Sequence, residues 1–286
     1  MAQAPGHRLG QIIGDALELA LAPILQSFAD EHGLYLDSGG TRPARPGKKV
    51  SWVDINGNKH DLDFVIERGG TDYKTGVPVA FIESAWRRYT KHSRNKAQEI
   101  QGAVEPLIQK YANVKPFGGA IVGGQWTQGA LDQLTSLGFG LVYIGYKEVV
   151  DAFASVGINV ATDESTPDAS ILAQVERYER LSRDELDKLG DALRACAPDQ
   201  FVAFRKRLEQ VVVRQIERIV LFPLHGSISQ FSTLQEAVES IRTYQTPQEV
   251  PPFMRWEVSL RFTNGDRIDA SFGAAQDAVD FLNSFA

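Results

Sequence analysis

The 286-residue chain has a single cysteine, Cys196. One thiol closes no internal disulfide and builds no cysteine-based zinc cluster, and it fits a reducing compartment. Cys196 also lies in a helical stretch with no histidine nearby, which marks it as inert. No run of about 18 apolar residues occurs, so no membrane span is expected. The start lacks the basic-then-apolar pattern of a secretory signal, and the expectation is a cytoplasmic protein. The five histidines show no metal-ligand spacing, and His92 reads as a polar helix residue. Gly118-Gly119 and Gly123-Gly124 flank a strand but do not make the Gly-x-Gly-x-x-Gly pattern of dinucleotide binding. An excess of positive charge is missing too. Lys and Arg number 30 against 36 Asp and Glu, a net charge of −6, which argues against indiscriminate coating of nucleic acid.

The average hides a local asymmetry. Residues 41–50 carry Arg42, Arg45, Lys48 and Lys49 with no acid. Residues 86–96 carry Arg87, Arg88, Lys91, Arg94 and Lys96, again with no acid. The stretch Asp163 to Asp191 is mostly acidic. A polyanion is therefore expected to meet the N-terminal half on a defined face.

The apolar periodicity of Leu9, Ile12, Ile13, Ala16, Leu17, Ala20, Leu21, Ile24, Leu25 and Phe28 predicts a helix over 8–32. Pro23 bends or breaks it, and Glu18 sits among the apolar residues. Residues 37–49 read as a loop. Val50–Ile55 and Lys59–Glu67 flank Asn56-Gly57-Asn58 and predict a hairpin. Residues 78–84 form a continuous apolar strand, followed by a helix of about 25 residues ending near Tyr111, with Arg87, Lys91, Arg94 and Gln98 on one face. Strand 118–124, helix 127–137, strand 141–144 and helix 147–156 complete an alternation that predicts an α/β fold with a mixed sheet covered on both faces. Residues 162–170 read as a linker into a helical segment over 169–213. Further on, 216–244 aligns without gaps on 257–285. Each copy reads as strand–turn–strand–helix, with Phe222-Pro223-Leu224-His225 matching the turn Thr263-Asn264-Gly265-Asp266, and the two predict a small four-stranded sheet with two helices.

The chemistry concentrates between Asp63 and Lys96. Asp is depleted in strands and a buried carboxylate is costly. Yet Asp63 lies in His60–Glu67, and Glu83 ends the apolar run Val79–Ile82. Two carboxylates on adjacent strands can hold Mg²⁺, which takes few protein ligands and leaves room for water and phosphate oxygens. Such an ion activates a water, and a nearby cation offsets transition-state charge. Asp61, on the same strand face as Asp63, competes for the role of first acid. The bland alternative is that the acids, and the helix cations, sit on solvated faces.

These residues resemble the motif of the PD-(D/E)XK nuclease superfamily, and within it the type II restriction endonucleases: a hairpin, Asp63, a loop of about twenty residues, then Glu83 and a helix, after an N-terminal helix carrying Glu18. The resemblance covers roughly residues 9–150, and the motif is short and degenerate. It implies an α/β/α core, placed over 1–160; beyond it the sequence pattern itself gives a helical segment over 161–215 and two ββα units over 216–286, for DNA recognition or dimerisation. It implies Mg²⁺-dependent (Mn²⁺ also possible) hydrolysis of double-stranded DNA by a homodimer reading a palindrome. Asp63 and Glu83 would hold the metal, with Glu18 nearby. Arg87, Arg88, Arg94, Lys96, Arg42, Arg45, Lys48 and Lys49 would contact DNA. One departure is plain: Ala85 stands where the motif has Lys. The favoured explanation is a migrated cation, Lys91, on the next helix. The others are an engineered inactivation and a nuclease-like fold that binds DNA without cutting. From another class, a protein that binds no nucleic acid would use the same cations for solubility alone.

Overall fold

The computed structural model describes residues 4–163, 165–223, 227–245 and 255–285. The chain divides into two compact units. The first runs up to Ala112 and takes in Pro116–Val212. The second comprises Asn113–Lys115 and the residues from Val213 onward.

The first unit is built on a five-stranded mixed sheet. Its strands are β1 (Leu34–Ser38), β4 (Phe64–Arg68), β5 (Val77–Arg87), β6 (Phe117–Gly124) and β7 (Gly140–Gly145), in the order β1-β4-β5-β6-β7. β1, β4 and β5 run antiparallel, and β5, β6 and β7 parallel. β6 is buried at every residue, as expected of a central strand covered on both faces. Its glycines permit that closeness: a Cβ on Gly123 would lie 2.9 Å from Leu17, and one on Gly119 would lie 2.6 Å from Phe117.

Helix α1 (Pro5–Glu31) covers one face, with Leu9, Ile12, Ile13, Ala16, Leu17, Ala20, Leu21, Leu25 and Phe28 buried. By length and composition α1 would reach across a membrane, but its apolar stripe lies in the interior of this unit. Pro23 does not break it. A proline there cannot donate to the Leu19 carbonyl, and Arg194 donates to Leu19 O (3.4 Å) and Ala20 O (3.0 Å) instead. Helix α2 (Ser93–Lys110) covers the other face, where Ala97, Ile100, Val104 and Leu107 pack with Val65, Phe81, Ala85, Ala120 and Val122. α3 (Gln128–Ser136), capped by Thr127, and α4 (Tyr146–Ala154) complete the alternation. The helices α5 (Asp168–Glu179), α6 (Arg183–Cys196) and α7 (Pro198–Val212) belong to this same unit rather than to a separate segment, and α5 and α6 pack on α1.

Two local corrections place the site. The expected hairpin is cut in two at Asp63. β2 (Val50–Val53) and β3 (Lys59–Leu62) form a two-stranded sheet of their own, while the chain beyond Asp63 moves into the main sheet, where Phe64 lies opposite Ser38 and Ile82. The pairing partner Leu34–Ser38 was hidden beside a segment read as loop. The second correction concerns the long helix. β5 continues through Trp86 and Arg87, because Ala80–Arg87 pair residue for residue with Phe117–Gly124. A 3₁₀ turn, Thr90–His92, follows, and α2 begins only at Ser93. Arg87 is thus a strand residue and shares no helix face with Lys91 and Arg94.

The second unit is a four-stranded antiparallel sheet of β8 (Ile216–Phe222), β9 (Ser229–Phe231), β10 (Trp256–Phe262) and β11 (Arg267–Phe272), in the order β11-β10-β8-β9. Helices α8 (Leu234–Thr243) and α9 (Ala275–Asn283) bury Ala237, Val238, Ile241, Ala278, Val279 and Leu282 with Ile219, Leu221, Val258 and Leu260 of the sheet. The turn Thr263–Asp266 is observed, with Gly265 at φ +87°. Leu224 and His225 of the matching turn lie outside the described residues.

Candidate metal and phosphate site

Pleating sends alternate β5 residues to opposite faces. Phe81, Glu83 and Ala85 point toward α2, and Ser84 and Trp86 toward α1. Ala85 packs in the apolar core on the α2 side, and Ser84 Oγ donates to Glu18 Oε1 on α1 at 3.2 Å. The Ser84 backbone N–H donates to Asp63 Oδ2 at 2.6 Å. Ser84 therefore ties together the two acids that approach from α1 and from the break between β3 and β4.

Glu83 has no such partner. It is 8% exposed, and its Oε1 is buried without a hydrogen bond. Burial, and then the charge of Asp63, push its carboxyl up to about 8; Lys96 opposes them. Glu18 is likewise pushed up to about 8, by burial and then by Asp63 and Asp15. Burial raises Asp63 as well, against the Ser84 amide and the charge of Lys96. Asp63 raises both glutamates and Glu18 raises Glu83, so the three carboxyls act within one region. Among the described residues no group of three His, Cys, Asp or Glu side chains is arranged to hold a metal ion. The side chains that could offer oxygens to a cation here are those of Asp63 and Glu83. An unpartnered buried oxygen on Glu83 fits an ion that takes few protein ligands.

Asp61, the rival first acid, is otherwise engaged. Lys49 Nζ (2.6 Å) and Ser51 Oγ (2.5 Å) donate to it, and the Lys49 bond holds its carboxyl below the usual range.

The cation at the acids is Lys96, in the first turn of α2 and on the sheet face that Glu83 occupies. Its charge lowers both Glu83 and Asp63, and its ammonium lies 3.3 Å from Glu99. Lys91 is exposed in the 3₁₀ turn, with its ammonium 5.6 Å from the centre of the Tyr89 ring. The legible signal was Ser93. It is fully buried, accepts the Thr127 N–H at 3.2 Å and donates to Thr90 O at 2.8 Å, which starts the helix there and brings Lys96 to its first turn.

An open cleft of about 390 Å³ reaches Ser84, Ala85 and Lys96, while Glu18, Asp63 and Glu83 do not line it. It is lined by the N-terminal turns of α1, by Ser84–Tyr89, and by His92, Lys96 and Thr162. Its ionisable lining residues are His7, Arg87, Arg88, Tyr89, His92 and Lys96, with no carboxylate. Arg88 is fixed by Thr162, donating from Nε to its carbonyl at 2.8 Å and from Nη2 to its hydroxyl. Arg87 donates to Trp86 O at 2.8 Å and lies 3.6 Å from Glu99. Arg94 is exposed and makes no hydrogen bond or ion pair among the described residues.

The loop cations are a different matter. Arg42 is 4% exposed and forks onto Glu67, with bonds of 2.6 and 2.9 Å, and onto Asp37 at 2.8 Å. Arg45 donates to Asp37 at 2.9 Å. Both are turned inward to hold the 39–49 loop against the sheet, so neither is placed to contact DNA. Lys49 is taken up by Asp61; Lys48 remains exposed.

No family model matches the chain, and no curated protein matches it. A solved structure described as a protein of unknown function, AF1548, is similar at 13% identity over 68% of this chain and 95% of that one, with a TM-score of 0.29. A likeness at that level carries no argument about function.

Proposed function

We propose that the first unit is a metal-dependent endodeoxyribonuclease of the PD-(D/E)XK type, with the restriction-endonuclease-like α/β/α arrangement of that superfamily. The observation that carries this reading is the buried Glu83 carboxyl, with one oxygen unpartnered, under the influence of both Asp63 and Lys96, the latter also lining a cationic cleft. A buried carboxylate without a partner is costly and is retained where something else supplies one.

In this reading Asp63 and Glu83 would hold Mg²⁺, or Mn²⁺, which would supply Lewis-acid polarisation of a phosphate and activation of water. Ser84 orients Asp63 through its amide, and Glu18 takes the Ser84 hydroxyl, which keeps the first acid turned toward the second. Lys96 offsets the charge that develops on the phosphate, the task of the lysine missing at Ala85. Arg87, Arg88 and Arg94 guide the DNA backbone along the cleft. Cutting both strands of a palindrome would need two copies related by a two-fold axis.

The test is plasmid cleavage in Mg²⁺ and in EDTA, for the wild type and Glu83→Gln. Cutting by the wild type in Mg²⁺ alone, reduced at least ~100-fold in the variant, is expected. Equal cutting by both proteins would refute the role given to Glu83. Ala85, on the metal-facing side of β5, favours a second reading, a nuclease fold that binds DNA without cutting it. Duplex binding without cleavage in either Mg²⁺ or Mn²⁺ would select that one.

A further inference from the structure

The second unit has a face that its helices do not use. Ile219, Leu221, Val258, Leu260, Phe262 and Ile268 turn toward α8 and α9. The alternate residues of β8, β10 and β11 face away, and the strand register arranges them in rows. Arg261 lies opposite Arg218 on one side and opposite Arg267 on the other. The next row is Val220, Ser259 and Asp269, and the one after it Phe222, Glu257 and Ser271.

Three guanidinium side chains thus stand side by side on adjacent strands, about 4.8 Å apart from strand to strand. Like charges directly opposite one another destabilise a sheet, and here Asp269 in the next row offsets part of the repulsion, acting on both Arg267 and Arg261. Arg267 is paired with Asp269 at 2.7 Å, and Arg218 reaches Gln230 at 3.5 Å. Arg261, between them, makes no hydrogen bond or ion pair among the described residues. Arg218 and Arg267 are exposed, and Arg261 is half-buried. None of the three serves the core. A row about 10 Å wide with planar donors matches the phosphates of a nucleic-acid backbone, which guanidinium groups bind in bidentate fashion.

We infer that the Arg218–Arg261–Arg267 row is a docking site for the phosphate backbone of duplex DNA, separate from the acid site of the first unit. The choice of duplex DNA rests on the nuclease reading; the row itself does not. Its contribution is electrostatic and independent of base sequence.

The experiment uses the full chain in Ca²⁺ with EDTA-treated controls and measures binding of a short duplex by fluorescence anisotropy across a salt series. Each phosphate contact contributes about 0.9 to the slope of log affinity against log salt. The triple variant Arg218→Gln, Arg261→Gln, Arg267→Gln is expected to flatten the slope by about 2.7. Arg261→Gln alone should flatten it by about 0.9, and Lys at all three positions should retain most of it. Because like-charge repulsion is relieved, the triple variant should melt no lower than the wild type. An unchanged slope in a folded triple variant overturns the inference, as does a wild type that binds no duplex. Glu83→Gln separates the two readings. If the wild type cuts and the slope does not move, the row fails and the nuclease stands. If nothing cuts but the slope flattens as stated, the nuclease fails and the row stands.

Discussion

Glu83→Gln should make the metal-free protein more stable at neutral pH and remove part of its pH dependence. The Glu83 carboxyl titrates at about 8 in the fold against 4.5 as its ordinary value. The folded state therefore holds this proton between those values while the unfolded chain releases it. Stability then falls as pH rises through that window, the slope being set by the excess of protons on the native state. Each pKa unit is worth about 1.4 kcal/mol. The cost of the charge is nil below about pH 4.5, ~3 kcal/mol at pH 7, and reaches a ceiling of ~5 kcal/mol above pH 8. At 8% exposure there is little solvent to screen it. Glutamine matches the neutral acid in shape, so wild type and variant should be about equally stable near pH 4.5 and should diverge above it. The measurement is urea unfolding of both proteins in EDTA from pH 4.5 to pH 9. Mg²⁺ added to the wild type should recover stability at high pH, by ~3 kcal/mol at a hundredfold excess over its dissociation constant, and should do nothing for the variant. Parallel pH profiles for the two proteins, or a variant less stable at pH 8, would refute the reasoning. Glu18, also raised to about 8, adds a loss of the same sign in both proteins, smaller in the variant because the Glu83 charge no longer acts on it.

Two further outcomes follow from the geometry. Lys96→Ala should lower cleavage by ~100-fold or more while Lys91→Ala leaves it near wild type, since Lys96 and not Lys91 acts on the acid pair; single-turnover assays at saturating DNA read this directly, and the reverse ranking would return the role to Lys91. Arg42→Ala removes the ion-pair partner of Glu67, which is 0% exposed, while Asp37 keeps Arg45, and should cost ~3–5 kcal/mol in urea unfolding, whereas Lys48→Ala should cost under ~0.5 kcal/mol.

The periodic elements could be read from the chain because one face of each is buried: α1, α3, β7 and α4 follow their apolar patterns to within a few residues, and β6, buried on both faces, shows as an unbroken run without charge. The burial of Glu83 could be read because an acid in an apolar strand conflicts with its surroundings; Asp63 falls at the break between β3 and β4. What could not be read was decided by partners distant in sequence. β5 reaches Arg87 because β6 offers Gly123 and Gly124 as neighbours, and there a side chain on Gly124 would collide with the Arg87 carbonyl at 2.1 Å. A helix pattern beginning at Trp86 carries no sign of that pairing. The role of Arg42 was hidden in the same way. In the sequence it belongs to a cationic loop; in the fold it answers Asp37 and Glu67, whose burial on strands β1 and β4 needed a cation more than a polyanion did.

The shift from Lys91 to Lys96 follows from that pairing. A lysine at position 85 would share the strand face of Glu83 but would displace a residue that is 4% exposed and packed with Ala97 and Trp126. With alanine there, α2 packs down on the sheet through Ala97 and Ile100, one and four residues after Lys96. The small side chain on the strand and the cation on the helix are therefore linked: the close approach that Ala85 permits is what brings the first turn of α2 over the acids. Lysine at 85 in an otherwise unchanged chain would push α2 away and carry Lys96 with it. On the nuclease reading, restoring the motif lysine should accordingly restore cleavage only with a smaller or neutral residue at 96, since two ammonium groups over two carboxylates would compete with the proposed metal.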